Sequence, residues 1–228
     1  MKQIKCILLY ILLLTGCNNE SYSIIEWTDF IKWDGDNYKG IDTGIIADQN
    51  LIGETFGTVK FQVNDNIHNS NYRIKDGDAA YLEKGTKLYS IKGKKELLAV
   101  KDPSKVNGYR IYSLKKEPYT YKWYYKDMPK QDVIKIEIYE RTAGSMPHFH
   151  RGIQDINEIR TVLSLLEQGK TTTEGYNDTK LDAKEFTIVF YTKEPIAYAF
   201  SIFRSDDKYY WAPWEGEVLP KEIKEYVK

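Results

Sequence analysis

The chain is poor in cysteine and histidine and has no surplus charge of either sign. Its 228 residues include 2 cysteines, 3 histidines, and 33 basic residues against 33 acidic ones. This balance argues against an electrostatic nucleic-acid binder, which needs a clustered basic excess. Both cysteines, Cys6 and Cys17, lie near the N-terminus. The rest of the chain therefore has no thiol for a disulfide or a thiolate metal site, and apolar burial has to stabilise its fold.

The apolar run near the N-terminus is short. It covers residues 7–14, whereas a membrane-spanning helix needs about 20 apolar residues. Lys2 and Lys5 precede the run, and small residues follow it. This is the pattern of a secretory signal segment, which is removed from the mature protein. We therefore expect residues 1–16 to be a signal peptide that takes Cys6 with it.

Leu14, Thr15, Gly16 and Cys17 resemble the lipobox of bacterial lipoproteins, with leucine first, glycine before the cysteine, and the cysteine itself. The resemblance implies a diacylglyceryl group on the Cys17 sulfur and a mature chain that begins at Cys17. Two buried acyl chains, at about 0.8 kcal/mol per CH₂, anchor a protein stably, whereas one chain binds marginally. The alternative is an ordinary thiol behind a conventional cleavage site. An unpaired cysteine is unusual in a secreted chain, which favours the lipid.

Taken whole, the chain resembles uncharacterised lipoproteins of Bacillus-type Gram-positive bacteria. A weaker likeness in residues 77–80 and 84–89 implies no activity. The resemblance implies a body tethered through residues 17–23 to the outer face of the cell membrane, with the lipid on Cys17 as the membrane contact. Loss of the leader lysines leaves 31 basic and 33 acidic residues, so the mature chain stays nearly neutral.

The body is rich in aromatic residues. Nineteen tyrosines, five tryptophans and eight phenylalanines favour strands over helices. We predict an α+β fold that is mainly β. Residues 24–118 are expected to form a small all-β barrel or sandwich, and residues 130–228 a small α+β part with one helix packed on an antiparallel sheet.

Short strand signals separated by turns mark the N-terminal part. Asp34 and Gly35 predict a hairpin turn between aromatic flanks. Residues 54–63 alternate in character, and a buried face is predicted for the odd-numbered positions. Strands at this spacing are typical of a sandwich or a compact barrel, SH3-like or similar. Further strands are predicted at residues 87–92, 97–100 and 109–114.

Pro118 and Pro129 frame residues 119–126, which we predict to be the junction between the two parts. The composition changes after it. Residues 133–139 alternate cleanly and predict a half-buried strand. Strands at 186–192, 196–204 and 209–212 then predict an antiparallel meander, and the residues from Pro220 a short closing helix.

One helix is predicted in the C-terminal part. Asp155 is its expected N-cap, with Glu158 three residues later in the arrangement of a capping box. Gly169 is the expected residue after its C-terminal end. Five apolar residues fall on one stripe of this helix and are predicted to face the sheet: Ile156, Ile159, Val162, Leu163 and Leu166.

Motifs of known chemistry give no activity. Gly169, Lys170 and Thr171 look like the end of a phosphate-binding loop, but Ser164 occupies the position of the required first glycine. The triplet also follows a helix, whose C-terminal carbonyls repel phosphate. The sequence contains neither a G-x-S-x-G nor an H-E-x-x-H motif.

His148 and His150 form the single histidine pair. In an extended segment their rings would share a face, as in a metal site. A site needs three or four ligands, and the third histidine, His68, is predicted to lie in the other part. Histidines flanked by Pro147 and Gly152 more often belong to a solvated loop. We therefore predict no metal and no cofactor, with this pair as the weak exception.

Aromatic residues at the junction and near the C-terminus have two interpretations. They form a surface that stacks on a ligand or grips a partner, or they fill the core and the seam between the two parts. The first interpretation requires a contiguous exposed patch of several hundred Å². The residues considered for this surface are Tyr121, Trp123, Tyr125, Trp211 and Trp214.

The sequence thus favours a membrane-tethered, extracytoplasmic lipoprotein that works as a non-enzymatic binding module. Its expected partner is an envelope protein or the cell wall, bound through the C-terminal part or the junction, and no nucleic acid. The alternative is a surface enzyme or an enzyme accessory. A deep pocket lined by convergent charges would favour the enzyme, whereas a flat aromatic face would favour the binding module.

Overall fold

The computed structural model describes residues 25–116, 123–142, 145–172, 181–205, 207–211 and 216–227. The fold is mainly β, as predicted. Most of the fold consists of two sheets of eight strands each, in which antiparallel pairing predominates. No helix in the described ranges has the length and apolar character needed to cross a membrane.

The N-terminal part contributes nine strands, eight of which form the first sheet in the order β4-β7-β8-β9-β2-β1-β6-β5. This sheet curls into a half-barrel. The closed barrel or sandwich predicted for this part is not confirmed. The strands are β1 Phe30–Trp33, β2 Asp36–Ile41, β3 Gly44–Ile46, β4 Ile52–Thr58, β5 Phe61–Gln62, β6 Asp78–Ala79, β7 Lys87–Ile91, β8 Lys94–Lys101 and β9 Tyr109–Leu114.

The hairpin between β1 and β2 confirms the predicted turn. Trp33 pairs with Asp36 across a two-residue loop, and both loop residues have positive φ, 49° at Asp34 and 76° at Gly35. Two positive φ values are the signature of a type I′ turn, whose twist matches that of the strands. This turn fixes the register of the whole hairpin.

The predicted alternation over residues 54–63 holds only in part. Val59 and Val63 are buried, but Thr55 is exposed, and β4 ends at Thr58. The pairing of β4 with β7 shifts register twice, on either side of Thr55. Each shift inserts an unmatched residue and interrupts the two-residue period. Alternation in the sequence therefore does not fix which side chains of this strand face the core.

The second sheet has the order β11-β10-β13-β14-β15-β16-β12. Its strands β13, β14 and β15 form the predicted meander. The closing helix is a 3₁₀ helix, Lys221–Glu225. The other elements are β10 Lys135–Thr142, β11 His148–Ile153, α1 Ile156–Glu167, β12 Lys170–Thr171, β13 Leu181–Tyr191, β14 Ile196–Ser205, β15 Lys208–Trp211 and β16 Glu217–Val218.

The helix α1 begins where the sequence predicts. Asp155 Oδ1 accepts hydrogen bonds from the backbone N–H groups of Asn157 at 3.0 Å and Glu158 at 2.9 Å. The Glu158 carboxylate accepts a hydrogen bond from Arg151 of β11 at 2.5 Å. Four of the five stripe residues are buried against the sheet, whereas Ile156 in the first turn is exposed.

The two parts of the chain are joined by strand pairing. β3 pairs antiparallel with β14, with Ile45 opposite Ala197, 152 residues later in the sequence. Two apolar clusters contain residues of both parts. In one, Ile196 lies among N-terminal residues, and in the other Val106 packs against Val189. The second sheet therefore has α1 on one face and the N-terminal part on the other.

Candidate functional site

Two aromatic residues considered for a ligand surface, Tyr125 and Trp211, are core residues. Tyr125 is 5% exposed and Trp211 is 2% exposed. Their ring centroids lie 4.6 Å apart, edge to face, and both rings contact Phe200. Burial of rings of this size is worth more than a single surface contact. Their assignment to an exposed ligand surface is corrected accordingly: both rings fill the core under α1.

Trp123 lies in the seam between the two sheets. Its ring centroid is 5.4 Å from that of Tyr198, and its carbonyl accepts a hydrogen bond from the Thr43 hydroxyl at 2.8 Å. A Cβ on Gly44 would lie 3.2 Å from the ring. The Trp123 side chain is therefore half-buried in the seam, with its ring against Tyr198 and Gly44. Three further predicted residues lie outside the described ones: Cys17, Tyr121 and Trp214.

The histidine pair lies on strand β11 and not in the predicted loop. His148 is exposed and opposite Glu140. The pairing shifts register at His150, whose ring centroid is 6.0 Å from that of the buried Phe186. The bulge therefore changes how the two imidazoles are presented. Within the described ranges, no three His, Cys, Asp or Glu side chains form a group that could hold a metal ion.

A cluster of charged side chains surrounds Arg110 on β9. Its guanidinium lies 3.1 Å from the Asp29 carboxylate and 3.6 Å from that of Asp42. The Tyr112 hydroxyl donates a hydrogen bond of 3.1 Å to Asp29. Burial raises the pKa of the Asp29 carboxyl, and the Arg110 charge offsets only part of this rise. The cluster links the segment before β1 to β9, although burial of the Asp29 carboxylate is electrostatically unfavourable.

Lys105 extends this cluster toward the second sheet. Burial lowers the pKa of its amine, and the neighbouring Arg110 charge lowers it further, with a smaller contribution from Arg141 on β10. Val106, the next residue, packs in the same apolar cluster as Val189 of β13. The Lys105 amine is therefore within electrostatic range of charged groups of both parts.

On the second sheet the charged groups at the seam are paired with each other. Arg141 Nε donates a hydrogen bond of 3.1 Å to Glu185, and the Ser201 hydroxyl donates one of 2.5 Å to the same carboxylate. Glu137 accepts hydrogen bonds from Lys135 at 2.9 Å and from Tyr139 at 2.7 Å. The Glu185 contacts join three neighbouring strands, whereas the Glu137 contacts lie within β10, and we interpret both sets as structural.

Glu137 gives the fold a testable pH dependence. Burial works against its ionisation, but hydrogen bonds from Tyr191, Lys135 and Tyr139 outweigh burial and lower its pKa below 4.5. A carboxyl with a lowered pKa stabilises the folded state above its unfolded pKa, and this stabilisation is lost as the pH falls through its folded pKa. We expect Glu137→Gln to lower the unfolding free energy by about 1.5–3 kcal/mol at pH 7. The deficit should shrink below about pH 4, as measured by urea unfolding between pH 3 and 7.

Glu222→Gln is the matched control for this experiment. Glu222 is exposed on the C-terminal 3₁₀ helix, and its replacement should change the stability by less than about 0.5 kcal/mol. A Glu137→Gln deficit that stays constant from pH 7 to pH 3 would contradict the assigned role of the carboxylate.

Clefts open among the described residues of the C-terminal part. One, of 670 Å³, is lined by residues 167–170 and 218–220, and Glu167 on its rim forms an ion pair of 3.1 Å with Lys130. The other, of 500 Å³, has Tyr209 at its apolar wall and charged residues of both signs around it. These linings combine opposite charges, so they favour no one class of small ligand.

The outer edge of the second sheet carries several exposed apolar side chains among the described residues of the C-terminal part. In the described chain β11 pairs with β10 alone, so no described strand pairs with the other side of its backbone. A Cβ on Gly152 would lie 3.5 Å from the Phe149 ring, and that ring also contacts Tyr139. The Phe149 ring therefore lies against its own strand, and about half of the side chain is exposed to solvent. We call β11 and four exposed side chains the β11 edge: Ile134 (52% exposed), Met146 (64%), Phe149 (52%) and Ile156 (46%).

Few features of the sequence predict this edge. Residues 148–153 contain two histidines, an arginine and a glycine, which are not a typical strand composition. Ile156 belongs to the helix stripe that was predicted to face the sheet, and Ile134 belongs to the alternating residues 133–139 that predict a half-buried strand. Ile134 precedes the first residue of β10, and Ile156 lies in the first turn of α1. At the end of a strand or helix, the apolar period of the sequence no longer determines which side chains are buried.

No protein-family model matches the chain, and no match is found among curated proteins or solved structures.

Proposed function

We propose that the chain is an extracytoplasmic lipoprotein, anchored through Cys17 to the outer face of the cell membrane, that works as a non-enzymatic interaction module. Support for the anchor comes from the lipobox residues Leu14, Gly16 and Cys17. The connection from Cys17 to Ile25, where the described body begins, reaches at most about 30 Å. The N-terminal part, as a barrel-like unit, would therefore be held close to the membrane.

The observation that carries the interaction role is the β11 edge. An open strand edge presents backbone N–H and C=O groups to any extended chain that aligns with it. Proteins that bind by strand addition take their affinity from these groups and their specificity from flanking side chains. Phe149 and Met146 at one end of the strand, and Ile134 and Ile156 at the other, would supply the flanking contacts. We propose an envelope protein that presents an extended segment as the partner.

Capture of the partner from its own envelope tests this proposal. The wild-type protein and a Phe149→Lys variant are compared, because the lysine places a charge at the proposed interface without touching the core. Phe56→Lys is the matched control, since Phe56 is exposed to a similar degree (45%) but lies on β4 of the other sheet. We expect Phe149→Lys to lose the captured protein and Phe56→Lys to keep it. Equal capture by all three proteins would contradict a binding role for the edge.

A further inference from the structure

We infer that one face of the half-barrel lies on the membrane, where its lysines bind the headgroups of anionic phospholipids. The inference rests on the anchor at Cys17 in the proposed function and names the surface that the anchored body turns to the lipid. The face is formed by β1, β2 and β9, which are neighbours in the first sheet. We call it the basic face, and four of its side chains carry the argument: Phe30, Lys32, Lys39 and Lys115.

The strand register places these side chains on one face. Residues directly opposite each other in antiparallel strands share a face of the sheet, and so do alternate residues of one strand. Phe30 is opposite Lys39, and Lys32 is opposite Asn37. The Lys115 N–H donates a hydrogen bond of 2.7 Å to the Asn37 carbonyl, so the ladder of β2 and β9 extends to Lys115. Three lysines from three adjacent strands therefore share the face, and Lys39 and Lys115 are exposed.

The neighbouring acidic residues lie on the opposite face. Asp36 is opposite Trp33, which packs against the apolar cluster on that side of the sheet. Asp29 and Asp42 also lie on that side, where both carboxylates pair with Arg110. The described residues of β1, β2 and β9 thus place no acidic side chain on the basic face. Its charge is complementary to anionic headgroups, although the chain as a whole has no net charge.

Aromatic side chains flank the basic face where the described chain begins. The ring centroid of Trp27 lies 6.0 Å from that of Phe30. The Trp27 carbonyl accepts a hydrogen bond from the hydroxyl of Tyr81, and the Tyr81 side chain is 42% exposed. Tryptophan and tyrosine are enriched at the membrane–water interface, because one end of each ring is apolar and the other is polar. These residue types therefore suit a surface that rests on lipid.

A lipid on Cys17 would bring this face near the bilayer. Ile25 is five residues before Phe30, so an extended chain separates their Cα atoms by at most about 18 Å. The connection from Cys17 to Ile25 reaches at most about 30 Å. The basic face is thus within reach of the bilayer surface that holds the anchor. Electrostatic attraction to anionic lipids adds to the attachment that buried acyl chains provide.

Binding of the unlipidated mature chain to vesicles tests the inference. This chain begins at residue 17 and carries Cys17→Ala, so no acyl group contributes to binding. Vesicles that contain anionic phosphatidylglycerol are compared with vesicles of phosphatidylcholine alone, which have no net charge. We expect the chain to sediment with the anionic vesicles only. Binding should weaken as salt is added, because the Debye length falls from about 10 Å at 0.1 M to about 3 Å at 1 M ionic strength.

Charge reversal on the basic face is the decisive variant. Lys39→Glu combined with Lys115→Glu should weaken binding to the anionic vesicles at least about 25-fold, because each lysine near an anionic surface contributes about fivefold. Lys221→Glu combined with Lys224→Glu is the matched control, since both lysines are exposed on the C-terminal 3₁₀ helix and the net charge changes equally. Circular dichroism checks that both variants are folded.

Four results would overturn the inference. They are no binding to anionic vesicles, equal binding to neutral ones, an equal loss in the control variant, and equally tight binding to soluble polyphosphate. A lipid mass on Cys17 of the native protein would leave the proposed anchor in place in each case. Conversely, vesicle binding that depends on Lys39 and Lys115 would support the basic face even if the native Cys17 proved unmodified.

Discussion

Replacement of Trp211 by alanine is expected to lower the free energy of unfolding by about 3–5 kcal/mol, the usual range for a buried tryptophan truncated to alanine. Trp211 is among the largest fully buried side chains of the described residues. Its ring packs edge to face against Tyr125 and Phe200, so truncation leaves a cavity beside two other rings. Because whole domains are stable by about 5–15 kcal/mol, this loss threatens the fold itself.

A second effect adds to the cavity. The indole Nε1 of Trp211 donates a hydrogen bond of 3.0 Å to Glu217 of β16, which truncation leaves without this donor. Gly169 makes room for the contact, because a Cβ there would lie 2.2 Å from the Glu217 carboxylate and 3.2 Å from the indole nitrogen. The end of α1, β15 and β16 are therefore locked together at this point.

Urea unfolding followed by circular dichroism measures the change, provided the slope of the unfolding curve is unaltered. Ile74→Ala is the control, because Ile74 is 39% exposed and its truncation should cost less than about 1 kcal/mol. Trp211→Phe should cost less than Trp211→Ala, since it keeps part of the ring volume. A Trp211→Ala cost below that of Ile74→Ala would contradict the placement of Trp211 in the core.

Local signals in the sequence predicted the elements that they control directly. Asp155 begins α1 because its carboxylate satisfies two free backbone N–H groups, a contact between residues two and three apart. Asp34 and Gly35 form the predicted turn because few other residue pairs adopt two positive φ values. In both cases the structural determinant lies within a few residues of the position that it fixes.

Local signals of this kind do not predict the pairing of β3 with β14. Gly44, Ile45 and Ile46 form a three-residue apolar stretch with no period, and their partners lie 150 to 154 residues later in the chain. The same holds for the aromatic residues. Composition showed that the rings had to be buried or gathered on a surface, but only the three-dimensional packing shows that Tyr125 and Trp211 meet under α1 while Phe149 stays at an edge.

Replacement of Cys17 by alanine is expected to have the largest effect on the protein as it exists in the cell. In the proposed anchor, two acyl chains, at about 0.8 kcal/mol per buried CH₂, would contribute on the order of 20 kcal/mol to membrane attachment, and Cys17→Ala would remove all of it. An uncleaved leader would be a poor substitute, because its apolar run covers only residues 7–14 and a spanning helix needs about 20. We expect Cys17→Ala to lose the lipid mass and to be released from membranes by an alkaline wash that leaves the wild type in place.

Cys6→Ala is the matched control, because Cys6 is the only other cysteine in the sequence and would leave with the leader. It should keep both the lipid and the membrane attachment. Mass spectrometry of the mature N-terminus detects the lipid directly, and membrane fractionation measures the attachment. An unmodified Cys17 in the wild type would remove the basis for the anchor.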